Sequence, residues 1–117
     1  MKYNKEFELP PNLEELIIDG KFNKPLNKLP HSLKYLNING YYNQEIKELS
    51  PNLKFLSIKG KYDKPIVNLP EGLEILELKC KFNYYIENIP CSLKIIKLPR
   101  KYDYWNDIPS NIKKYIL

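Results

Sequence analysis

The stretch Leu29-Pro30-His31-Ser32-Leu33-Lys34-Tyr35-Leu36-Asn37-Ile38-Asn39-Gly40 decides the fold, because it returns every twenty residues. The same pattern precedes it as Leu9-Pro10-Pro11-Asn12-Leu13 through Gly20, and follows it from Leu49 to Gly60, Leu69 to Cys80 and Ile89 to Arg100. A final copy, Ile108-Pro109-Ser110-Asn111-Ile112 through Leu117, arrives one residue early. A second motif repeats in phase between these blocks: Phe22-Asn23-Lys24-Pro25-Leu26, Tyr42-Asn43-Gln44-Glu45-Ile46, Tyr62-Asp63-Lys64-Pro65-Ile66, Phe82-Asn83-Tyr84-Tyr85-Ile86 and Tyr102-Asp103-Tyr104-Trp105-Asn106. Self-similarity held over the chain marks a repeat architecture.

Twenty residues are too few for a strand, a full helix and two turns, so the far side of each unit is expected to be extended or one turn of 3₁₀ helix. Proline agrees. Pro10, Pro30, Pro70, Pro90 and Pro109 share one column, with Pro51 one place later, and Pro25 and Pro65 share another. Each removes a backbone donor, which an outer arc tolerates and a central strand does not. The strand therefore lies in Leu-x-x-Leu-x-Ile, where Leu36 and Ile38, two apart, face one side. One such unit cannot bury its own apolar face, so neighbours must stack. The expected fold is mainly β, a leucine-rich-repeat-like solenoid of about five to six 20-residue coils, with a parallel β-sheet on one face and extended or 3₁₀ segments on the other. A single domain, 1–117, divides into coils near 9–28, 29–48, 49–68, 69–88, 89–107 and 108–117.

Each column carries an expectation. Phe22, Tyr42, Tyr62, Phe82 and Tyr102 read as a structural spine in preference to a base-stacking ladder. Asn23, Asn43, Asp63, Asn83 and Asp103 read as side chains bonding rung to rung in preference to metal ligands. Gly20, Gly40 and Gly60 mark a strand exit that needs positive φ, and the turn should change where Cys80 and Arg100 replace glycine. With Leu36 and Ile38 inward, Tyr35, Asn37 and Asn39 point outward. The first outward column reads Glu15, Tyr35, Phe55, Ile75, Ile95 and Lys114. Four adjacent apolar residues there form either a binding stripe or ordinary cross-strand packing. The candidate protein-binding residues are Tyr35, Phe55, Ile75 and Ile95, with Asn37, Lys59, Glu77 and Lys79 beside them. The aromatics Tyr84, Tyr85, Tyr102, Tyr104, Trp105 and Tyr115 are read as a terminal cap, with a binding hot spot as the alternative.

The chain has 117 residues, 43% hydrophobic and 28% charged, with a formal charge of +5; lysine supplies all but one of its 19 basic residues. That length suits one domain and excludes a bilobal enzyme. No membrane-length apolar run is present, and Met1 to Glu6 lacks a signal-peptide block, which predicts an intracellular, cytoplasmic protein. Cys80 and Cys91 are too few for a disulfide framework or a zinc site and read as free thiols. His31, the only histidine, has no nucleophile beside it, and Cys91 lies three coils away, so no catalytic, cofactor or metal residues are assigned and no enzyme is expected. Acidic residues in each of the five full repeats make nucleic acid an unfavoured partner despite the column Lys21, Lys61, Lys81 and Lys101. The expected partner is another protein, with homodimerisation through open sheet edges as the alternative.

The blocks Phe22-Asn23-Lys24-Pro25-Leu26 and Tyr62-Asp63-Lys64-Pro65-Ile66, each followed by Leu-Pro-x-x-Leu-x-x-Leu-x-Ile, resemble the FNIP repeat, a leucine-rich-repeat-like unit of social amoebae and large DNA viruses. The resemblance runs over nearly the whole chain. It implies an intracellular interaction module, in the host cytoplasm where the source is viral, and no enzymatic residues. Some relatives carry an F-box that connects them to ubiquitin ligases; with the repeats beginning by about Leu9, that connection is not carried over. Glu45 and Tyr85 stand where the motif has proline, and Trp105-Asn106 replaces Pro-Ile, which puts the uniformity of the coils in question.

Overall fold

The computed structural model describes residues 9–26 and 28–117. Residues 1–8 of the expected domain, and Asn27 of its first coil, lie outside the described residues. Six short strands form one sheet: β1 (Glu15–Ile18), β2 (Tyr35–Ile38), β3 (Phe55–Lys59), β4 (Ile75–Lys79), β5 (Ile95–Leu98) and β6 (Lys113–Ile116). They are ordered as in sequence, and every pair is parallel. The chain is a mainly β solenoid of about five turns, and the one helical element among the described residues is the 3₁₀ turn Trp105–Asp107.

Sequence spacing sets the register. Leu16, Leu36, Leu56, Leu76 and Ile96 align across the sheet. All five are buried, as are Ile18, Ile38, Ile58, Leu78 and Leu98 beside them. The alternation of buried and partly exposed residues along β2 and β5 is what a strand with one face on a core must show. Each strand is reached through a tight turn in which the core leucine donates back three residues: Leu33 N–H to the Pro30 carbonyl at 3.1 Å, and Leu73 N–H to that of Pro70 at 3.2 Å. Proline fits the first place of this turn because only its carbonyl is used. In the third coil Leu53 donates to Ser50, and Pro51 takes the second place, where its fixed φ is equally suitable.

The aromatic column is a spine. Phe22, Tyr42, Tyr62, Phe82 and Tyr102 are all buried. Phe22 to Tyr42 at 6.0 Å and Tyr42 to Tyr62 at 6.5 Å between centroids stack within 4° of parallel, and Phe82 stacks on Tyr102 at 6.0 Å. The asparagine column is a hydrogen-bond ladder on the outside of the arc. Asn43 N–H donates to Asn23 Oδ1 at 2.8 Å, Asp63 N–H to Asn43 Oδ1 at 2.8 Å, and Asp103 N–H to Asn83 Oδ1 at 2.9 Å.

A third ladder had no clear signal in the sequence. Ser32 Oγ donates to the Leu13 carbonyl, Ser50 Oγ to that of His31 and Ser92 Oγ to that of Leu73, at 2.7 to 2.9 Å. These serines bind the strand-entering turns of successive coils, each reaching back to the coil before it. Serine is common in any turn, so its rung-to-rung direction is legible only once the coils are stacked.

The last strand departs from expectation. Ile95 pairs with Lys113, eighteen residues on and not the nineteen that the early last copy predicts, so Lys113 and not Lys114 completes the outward column. The reason is a missing residue. Lys34 separates buried Leu33 from outward Tyr35, but nothing separates Ile112 from Lys113. Lys114 consequently takes the place beside Ile96, and its Nζ donates to the Pro109 carbonyl at 3.1 Å.

Candidate functional site

The outward sheet face is graded along the strands. At the strand starts Tyr35, Phe55, Ile75 and Ile95 stand side by side in register, each partly buried. The Tyr35 and Phe55 rings lie 4.4 Å apart and within 1° of parallel, so β2 and β3 present one continuous aromatic surface. Offset stacking of this kind contributes beyond burial and fixes the rings in place.

The middle row is polar. Asn37 stands between Ile17 and Ser57, and its Oδ1 has no hydrogen-bond partner among the described residues. Ser57, 1% exposed, donates its hydroxyl to Glu77 Oε1 at 2.8 Å, and Lys59 Nζ approaches the same carboxylate at 3.8 Å. Lys97, next in the row, places Nζ 5.4 Å from the Tyr115 ring centre, while Lys113 approaches that ring at 5.3 Å. Tyr115 thus belongs to the sheet face.

The strand exits are basic, with Lys59 directly beside Lys79. The eight candidate residues therefore share one face, in three rows: Tyr35, Phe55, Ile75 and Ile95; Asn37 and Glu77; Lys59 and Lys79. The remaining aromatics sit elsewhere. Tyr102 meets Tyr104 and Trp105 edge-on, and Tyr85 meets Tyr104 likewise, forming a cluster against the end of the spine. Sequence reasoning grouped Tyr115 with them because it ignored which side of the coil each residue occupies.

The convex side carries His31, exposed, beside a hollow of about 560 Å³ lined by Leu9, Pro11, Leu29, Pro30 and Leu49, with Lys28 and Glu48. Cys80 and Cys91 are free thiols. Among the described residues no three of His, Cys, Asp and Glu gather as a metal site would require. No helix among them is long and apolar enough to cross a membrane.

The family model that matches is the FNIP repeat, over residues 3–41. Over that third of the chain the sequence is similar to the FNIP repeat. No curated protein matches the chain. The residue types of the matched motif have physical roles in this structure. In Phe22-Asn23-Lys24-Pro25-Leu26 the phenylalanine enters the spine, and the asparagine receives the next coil's N–H. The aliphatic residue at the motif's end packs on the core, as Ile46, Ile66 and Ile86 do in later coils. Departures from the FNIP pattern leave these roles intact. Ile46 and Ile86 are 2% and 4% exposed although Glu45 and Tyr85 replace proline before them. Trp105-Asn106 changes the coil, starting the 3₁₀ turn at the place where the last repeat loses its residue.

Proposed function

We propose that the protein is a non-catalytic scaffold that binds another protein on its outward sheet face. The observation that carries this is the apolar row Tyr35, Phe55, Ile75 and Ile95, in register across four strands on a side that the core does not require to be apolar. Stacked coils build extended surfaces suited to a protein partner, and an aromatic pair held rigid by stacking loses little entropy on contact. The repeat family and the solenoid fold support the reading.

The test replaces Tyr35 and Phe55 together by serine and compares crosslinked partners with wild type and with an exposed outer-arc control, Val67→Ser. Loss of partners from the face variant alone supports the reading; an unchanged set from a folded face variant rejects it. Self-assembly is the second reading, favoured by β6, whose four residues are all exposed. Sedimentation over a concentration range separates the two, since only self-assembly makes the mass depend on concentration.

A further inference from the structure

At the strand starts the column Glu14, Lys34, Lys54, Glu74 and Lys94 mixes the two signs, and two neighbouring pairs approach: Lys34 Nζ lies 3.6 Å from Glu14 Oε1, and Lys94 Nζ 3.8 Å from Glu74 Oε1. At the strand exits the pattern changes. Lys59 and Lys79 are direct partners in the register of β3 and β4. Two residues further on the same coils place Lys61 and Lys81, and the fifth coil adds Arg100 and Lys101. Five of these six side chains are exposed, and among the described residues only Lys59 has an ion pair, to Glu77. Like charges on adjacent rungs, roughly 4.8 Å apart, repel and weaken the sheet. Lys34 beside Lys54 breaks the same rule once at the strand starts, but at the exits cations stand on three successive coils with a single ion pair among them, a concentration the fold itself does not require.

A hollow opens at the same corner. In the early coils the exits are tied together, with Tyr41 N–H donating to the Gly20 carbonyl at 3.0 Å and Lys61 N–H to that of Gly40 at 2.9 Å. Cys80 and Arg100 then replace glycine, and this bond is not repeated by Lys81 or Lys101. The space left is about 450 Å³, lined by Cys80, Phe82, Asn83 and Pro99 and rimmed by Lys81, Arg100 and Lys101. An apolar floor under a cationic rim accommodates an aliphatic stem that ends in a carboxylate.

We infer that the strand-exit corner formed by Lys59, Lys61, Lys79, Lys81, Arg100 and Lys101 takes an acidic polypeptide segment of the protein that docks on the sheet face. This rests on the face-binding reading and names the partner's chemistry. β3 runs from Phe55 to Lys59 and β4 from Ile75 to Lys79, so apolar and cationic rows are the two ends of the same strands, roughly 13 Å apart. An extended polypeptide supplies both aliphatic and carboxylate groups over that distance. A nucleic acid supplies charge and stacking bases but no aliphatic stem for the hollow, and the cations here span three coils, roughly 10 Å, short of the phosphate track a duplex presents.

The experiment measures anisotropy of fluorescein-labelled glutamate–leucine copolymer, poly-L-glutamate and oligothymidylate with the full chain over a salt series. The copolymer is expected to bind most tightly, with affinity falling as salt rises. Lys79→Glu combined with Arg100→Glu should weaken both glutamate probes about tenfold or more, whereas the charge-matched pair Lys28→Glu and Lys47→Glu should not. Equal effects of the two pairs overturn the corner proposal, whatever Phe55→Ser does. If Phe55→Ser leaves the copolymer's advantage over poly-L-glutamate intact, the face reading fails and the corner stands. Oligothymidylate binding as tightly as the copolymer overturns the polypeptide assignment. Folding is tracked independently: Lys79→Glu alone, placed beside Lys59, should raise the denaturation midpoint of the free protein, and a lowered midpoint contradicts the like-charge argument.

Discussion

Gly40 rests on the backbone of Gly20: a Cβ at Gly40 would stand 2.5 Å from the Gly20 carbonyl oxygen, well inside contact. Gly60 rests on Gly40 in the same way, and both have positive φ, 84° and 97°. Gly20 also has positive φ, 73°, but nothing lies within 4 Å of its would-be Cβ. Gly20→Ala therefore carries only the left-handed backbone penalty, about 1 to 2 kcal/mol. Gly40→Ala adds a clash between stacked backbones that no side chain can relieve, about 1 to 3 kcal/mol more. Urea denaturation should order the variants as wild type, Gly20→Ala, Gly40→Ala. Equal midpoints for the two alanine variants would show that the coils are not in contact at this corner.

The asparagine ladder gives a second series. Asn43→Ala removes the acceptor for Asp63 N–H, and Asn83→Ala the acceptor for Asp103 N–H. Each should lower stability by about 1 kcal/mol, the net value of an exposed backbone-to-side-chain bond. The two sites are two coils apart, so their effects should add within about half a kcal/mol. Asn43→Asp keeps an acceptor and should lose less than Asn43→Ala. A double variant no worse than either single variant would mean that the rungs are not independent units.

Alkaline pH should weaken the fold through the spine. Tyr102 donates its hydroxyl to the Tyr84 carbonyl at 2.8 Å, and burial, aided by Tyr104 and Asp107, pushes its pKa up to about 12. Burial also raises that of Tyr62. In the unfolded chain tyrosine titrates near about 10, so between these values the folded state holds more protons. The contribution is fully present below about pH 10 and is lost as pH rises toward 12. Tyr102→Phe should lower stability near neutral pH by about 1 kcal/mol and flatten the alkaline decline. Parallel declines of variant and wild type would place the alkaline sensitivity elsewhere.

How much was legible in the sequence follows from the same physics. Strand pairing in β1 to β5 was readable because Leu36 and Leu56 are held in register by a twenty-residue period and by burial, and both effects are periodic. The spine and the asparagine ladder were readable for the same reason. β6 was misplaced by one residue because the period ends at Ile112, and backbone pairing, not side-chain type, then decides that Lys113 meets Ile95. The outward residues Tyr35, Phe55, Ile75 and Ile95 could be placed on one face, but the Tyr35–Phe55 stack depends on rotamers that no periodicity encodes. The Ser57 to Glu77 bond was hidden likewise, since both residues are ordinary surface types until their rungs are adjacent.

The two cysteines should report on the corner where the glycine ladder ends. Cys91 is exposed, whereas Cys80 is partly buried and its thiol is pushed up to about 11 by burial, against a partial offset from the Phe82 backbone. Alkylation requires the thiolate. Iodoacetamide at neutral pH should therefore modify Cys91 well before Cys80, with Cys80 reacting on denaturation or as pH approaches 11, which peptide mass spectrometry resolves site by site. Cys80 also lines the hollow rimmed by Lys81, Arg100 and Lys101, so saturating glutamate–leucine copolymer should slow its alkylation at mildly alkaline pH and leave Cys91 unchanged. Equal rates at the two thiols in the native protein would mean that the fourth and fifth coils separate freely there, and a hollow that open could not hold an aliphatic stem.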